Sequence, residues 1–103
     1  MNPITQLSVN LIDRYEHDEN LLSKIKNYRD REGFNKESND ELNLSVNDTV
    51  CFIGGSNMDI MFYTKITGFD NNNKVLVLWS CYWFPVDPTD KDRKFYKIHE
   101  VTS

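Results

Sequence analysis

The run Val75-Leu76-Val77-Leu78-Trp79-Ser80-Cys81-Tyr82-Trp83-Phe84 is apolar or aromatic at every position except Ser80. Read as a single strand, it sets Val75, Val77, Trp79, Cys81 and Trp83 on one face, and Leu76, Leu78, Ser80, Tyr82 and Phe84 on the other. A strand with two apolar faces must be covered on both. A small barrel covers only its inner side, so the outer face needs a further layer. The N-terminal segment of the chain is the simplest source of that layer. The alternatives are another protein, a ligand or a second copy of the chain.

Residues 3–32 read as an amphipathic helix, either one long helix or two short ones. Asn2 can cap it and Pro3 suits the first helical position. Ile4, Leu7, Leu11, Tyr15, Leu22 and Ile25 recur at helical steps, widened by Ile12, Leu21 and Tyr28. The polar stretch Glu16-His17-Asp18-Glu19-Asn20 is the natural break, and Gly33 the natural stop. An isolated helix of this kind is marginal, so its stripe must pack on something.

Residues 34–45 read as a polar connector, after which the period becomes strand-like. Thr49–Ile53 is one strand, Gly54–Asn57 a turn, and Met58–Ile66 a second strand with Met58, Ile60, Phe62 and Ile66 on one face. Phe69–Lys74 is a turn, since Asn and Asp tolerate left-handed backbone. Val75–Phe84 is the third strand. Pro85–Asp92 is a loop, because proline lacks the N–H a ladder needs. Lys94–Ile98 is the fourth strand and Glu100-Val101 begins a short fifth. Four to five short antiparallel strands joined by tight turns, after a helix, predict an α+β chain ending in a small barrel or curled sheet. Its segments are then 1–33 (helical), 34–45 (connector) and 46–103 (barrel).

The chain has 103 residues, enough for one domain with its own core. Net charge is −4; residues 1–42 carry nine acids against six Lys/Arg, and residues 43–103 seven against six. Neither part has the basic footprint of a phosphate-backbone binder, so nucleic acid is disfavoured as a partner. The cluster Arg93, Lys94 and Lys97 reads as a charged edge strand. No apolar run reaches the ~18 residues of a membrane helix, and the N-terminal residues do not resemble a secretion signal. Cys51 and Cys81 are then expected as reduced, buried thiols of a cytoplasmic protein; a disulfide would require their strands to be neighbours. Alanine is absent and asparagine abundant, as in an AT-rich bacterial or phage genome.

Asp48, Val50, Gly54, Gly55 and Met58, followed by Cys81-Tyr82-Trp83-Phe84, resemble the YodC-like family of small, uncharacterised bacterial proteins over about residues 46–101. That pattern has a Gly-Asp-x-Val strand, a Gly-Gly-x-x-Met turn and a later Cys-x-Trp-Phe strand. Asn47 stands in place of its glycine, and the distance from Met58 to Cys81 is long. Another alignment puts Val75, Val77 and Trp79 on the last element. The resemblance implies an SH3-like barrel with no catalytic residues to carry over. The motif also reads structurally: Asp48 accepts backbone hydrogen bonds, Gly54 and Gly55 permit positive φ, and Met58 fills the core.

Catalytic and metal chemistry find little support. Asp70-Asn71-Asn72-Asn73-Lys74 starts like a calcium loop, but Val75 and Cys81 stand where glycine and glutamate are needed. Asp87, Asp90 and Asp92 read as solvated loop acids. Cys81 and His99 lack a third orienting group. No cofactor is called for, and an enzyme is not expected.

Aromatic residues on SH3-like barrels line grooves for proline-rich peptides or cage methylated lysines. Trp79 is read as core. Tyr63, Tyr82, Trp83, Phe84 and Tyr96 are the candidate partner-binding residues. Three functions follow: a non-catalytic module binding a protein partner or a second copy, an acidic phage or mobile-element inhibitor of a host protein using Asp13, Glu16, Asp18 and Glu19, and single-stranded nucleic-acid binding on Trp83 or Tyr82.

Overall fold

The Val75–Phe84 run is a hairpin, not one strand. In the computed structural model, which describes residues 3–9, 19–79 and 82–100, Val75–Trp79 and Tyr82–Val86 pair antiparallel with Trp79 opposite Tyr82. The reversal moves Trp83 beside Leu78 and Phe84 beside Val77. Pro85 lies inside the second of these strands rather than in a loop. It is tolerated because that strand is an edge, where a missing N–H can face away from the ladder.

The elements in chain order are β1 (Gln6–Val9), α1 (Glu19–Glu32), β2 (Ser38–Asn39), β3 (Leu44–Ser45), β4 (Thr49–Gly54), β5 (Ile60–Phe69), β6 (Val75–Trp79), β7 (Tyr82–Val86), a 3-10 turn (Lys91–Arg93) and β8 (Tyr96–Glu100). The fold is α+β. Six strands form one sheet in the order β1-β8-β4-β5-β6-β7, and β2 and β3 form a small separate ladder. All pairings are antiparallel except β1 with β8, which is parallel.

The start of the chain departs from expectation. Residues 6–9 are a strand, and the described helix begins only at Glu19. Leu7 fits the expected helical stripe, yet Leu7 and Val9 also alternate with Gln6 and Ser8. The free edge of β8 selects the second period, since tertiary pairing overrides local pattern. Leu11, Ile12 and Tyr15 of the expected stripe lie outside the described residues.

Residues 34–45 are more than a connector: Phe34, Leu42 and Leu44 are buried. Asn39 organises the β2–β3 turn by accepting from the Leu42 amide (3.3 Å) and donating to Asn73 (2.9 Å). Phe69, expected in a turn, is a core residue of β5 because the ladder shifts by one residue between Ile66 and Gly68. Without that bulge the alternation would turn Phe69 to the other face. Glu100 continues β8 rather than opening a fifth strand.

The sheet has apolar residues on both faces. On the inner side, Val50, Phe52, Ile66, Phe69, Val75 and Val77 pack with Leu42, Leu44, Val86 and Phe95. On the outer side, Leu76 and Leu78 pack with Ile25 and Phe34, flanked by Leu21, Tyr28 and Trp83. The helix therefore covers the outer face of β6, as its own stripe requires. Met58 is not core: it sits in the β4–β5 turn with φ 54 and is exposed.

Candidate functional site

The end of α1 builds the site. Gly33 takes φ 80, and the amides of Gly33 and Phe34 both donate to the Arg29 carbonyl at 2.9 Å. This left-handed stop folds Phe34 back onto the helix, where its ring stacks on Tyr28 with centroids 6.3 Å apart. Arg29 Nε donates to the Phe34 carbonyl at 3.0 Å, and Nη2 pairs with Glu37 at 3.3 Å. The Phe34 carbonyl presses on Gly68, where any Cβ would collide with it. Lys36 and Phe69 exchange two backbone hydrogen bonds of 3.1 Å and tie the segment to β5. The helix end is fixed from both sides.

Tyr28 is thereby held against Trp83 on the edge strand β7, edge to face, with centroids 6.2 Å apart. Lys24, Asn27, Tyr28 and Arg31 from α1, with Trp83, line an open groove of about 270 Å3. The four helical residues follow the i, i+3, i+4, i+7 spacing of a single face. The Arg31 guanidinium carbon lies 5.5 Å from the centre of the Tyr28 ring, a cation–π arrangement. Arg31 Nε also donates to Glu32 at 3.1 Å, and its side chain stays 69% exposed. Lys24 has no carboxylate partner among the described residues.

The five aromatic candidates do not form one surface. Trp83 lines the groove. Phe84 packs inward, 6.1 Å from Phe52 and 5.9 Å from Phe62 by ring centroids, and serves the core. Tyr82 is exposed at the β6–β7 hairpin opposite Trp79. Tyr63 and Tyr96 flank Cys51 across β5, β4 and β8, with Tyr63 exposed and Tyr96 half-buried. Trp79 packs edge to face on Phe62 at 5.0 Å and is half-buried. Sequence reasoning missed Tyr28, Lys24, Asn27 and Arg31. Their signal was a polar and aromatic stripe lying beside the apolar one on the same helix.

Several other charged groups serve the fold. Asp70 accepts from the amides of Asn72 (2.9 Å) and Lys74 (2.8 Å), closing the β5–β6 turn. Asp87 accepts from the Thr89 amide (2.9 Å) and hydroxyl (2.7 Å), which hold its carboxyl below the usual range. Arg93 reaches the Ile53 carbonyl, and Lys97 reaches the Asn43 carbonyl and Asp48. Cys51 is a free, buried thiol, and burial pushes its pKa up. Cys81, His17, Asp13, Glu16 and Asp18 lie outside the described residues. Among the described residues, no three His, Cys, Asp or Glu side chains converge to hold a metal, and no helix is long and apolar enough to cross a membrane.

Comparison of the chain with protein-family models, with curated proteins and with solved structures finds no match.

Proposed function

We propose that this chain is a non-catalytic, cytoplasmic interaction module that docks a protein partner in the groove between α1 and β7. The carrying observation is the Tyr28–Trp83 pair, packed edge to face in the lining of an open groove. Such a surface is pre-organised: two large, rigid rings bury area at little entropic cost on binding. The sheet reads as a partly open SH3-like barrel. That reading is supported by the β8-β4-β5-β6-β7 order and by the 3-10 turn just before β8. The free Cys51 thiol suits a reducing compartment.

The test is affinity capture with the tagged full chain, comparing wild type with Asn27→Trp. Asn27 is exposed, so a bulky ring there fills the groove without disturbing the core. Partners held by wild type are expected to be lost with Asn27→Trp and retained with Tyr82→Ala. Retention of the same partners by Asn27→Trp overturns the reading.

One observation favours a second reading. Two cations beside two aromatic rings is also how single-stranded nucleic acid is gripped, by phosphate contacts and base stacking. The net charge of −4 works against it.

A further inference from the structure

We infer that the groove takes an acidic peptide segment in polyproline II conformation, with two carboxylates three residues apart and a proline or aliphatic face between them. This rests on the reading that the groove is a docking site and names the chemistry of its occupant. Lys24 and Arg31 are seven residues apart on one helix face, which at the helical rise separates them by about 10.5 Å along the axis. Tyr28 and Trp83 supply apolar surface in the same groove. Polyproline II repeats every three residues at about 3.1 Å per residue, so side chains at i and i+3 point the same way about 9.3 Å apart. A β-strand peptide fits less well, because i and i+3 point to opposite sides. The two cations then meet the two carboxylates while the intervening residues lie on the rings.

Charge selects this occupant over the alternatives. Lys24 has no carboxylate partner among the described residues, and Arg31 is paired only with its exposed neighbour Glu32. A polyanion extending past the groove would meet Asp30, Glu32 and a chain of net charge −4, whereas a peptide with two carboxylates ends at the two cations. The chain's own Asp87-Pro88-Thr89-Asp90 has the required spacing. It is folded as a turn, with the Asp90 amide donating to the Asp87 carbonyl at 3.3 Å, so a second copy does not present it in the required form.

The chain has two tryptophans, so Trp79→Phe leaves Trp83 as the sole indole reporter. A synthetic, end-capped peptide of the pattern Pro-Asp-Pro-Leu-Asp-Pro-Leu is titrated into this variant while Trp83 emission is followed. The expected result is a saturable shift, weakened by salt and absent with the Asn-for-Asp peptide. Lys24→Glu combined with Arg31→Glu should weaken binding by about tenfold or more; both positions are exposed, and an unchanged thermal melt shows that the variant keeps its fold. Three results overturn the inference: no shift with the acidic peptide at millimolar concentration, equal shifts with both peptides, or tighter binding of an oligothymidine. Light scattering covers the second copy: a wild-type dimer that becomes monomeric in the double charge reversal also overturns it. If captured partners are lost with Asn27→Trp but kept by the double charge reversal, the docking site stands and its acidic occupant fails.

Discussion

Thr64 carries a hydroxyl with no hydrogen-bond partner, buried on β5 opposite Val50. Removing a buried polar atom that has no partner removes only its desolvation cost. Thr64→Val should therefore raise stability by about 1 kcal/mol, read as a higher urea midpoint at unchanged slope. Asn47 takes φ 76, the left-handed region that glycine otherwise supplies. Asp48 beside it accepts from the Ser45 amide at 2.8 Å, the backbone role its sequence position implies. Asn47→Gly should be nearly neutral and Asn47→Val should cost roughly 1–2 kcal/mol, read from denaturant midpoints. Gly54 was legible as a special glycine but for the wrong reason. Gly55 has the positive φ, whereas Gly54 is needed because a Cβ there would approach the Phe62 ring at 2.9 Å.

Among elements, the helix contributes one fully buried side chain, Ile25, to the outer face of β6. Ile25→Ala should cost about 2–4 kcal/mol, whereas Leu22→Gln, half-exposed on the same helix, should change little; thermal melts separate the two. The need for an outer cover was legible from the doubly apolar run, and the helix stop was legible from Gly33. The split of that run was not, because the stretch between the paired Trp79 and Tyr82 holds none of the Gly, Pro, Asn or Asp residues that mark a turn. For the same reason Trp83 and Phe84 lie on the opposite faces from those a single strand gives them. The β7–β8 loop supplies a pH test. Asp87 has a lowered folded pKa, so the stability it contributes is present above the ordinary carboxylate range and is lost as pH falls through the lowered value. Asp87→Asn should lower the melting temperature at pH 7 and converge with wild type near pH 2.

For the whole molecule, the outer layer implies that the six-stranded sheet cannot stand without the N-terminal part of the chain. Removing residues 1–42 strips α1, β1, Phe34 and Leu42, and bares Leu76 and Leu78 to solvent. The truncated chain is expected to aggregate in size exclusion with light scattering, because the exposed strip is contiguous and apolar. A soluble monomer would contradict this account of the cover. An α+β architecture was readable from the change of period along the chain. The parallel β1–β8 pair was not: it joins segments about 90 positions apart, and local pattern carries no signal over that distance.

That pairing sets a timetable for synthesis. β8 is flanked on one side by β4 and on the other by β1, so it bridges the earliest strand to the body of the sheet. A nascent chain can close the β4–β5–β6–β7 meander while still tethered to the ribosome. β1 must wait, with its amides unpaired, until residue 100 has emerged. The N-terminal strand is therefore made first and docks last, and its ladder locks only once the rest of the sheet already stands.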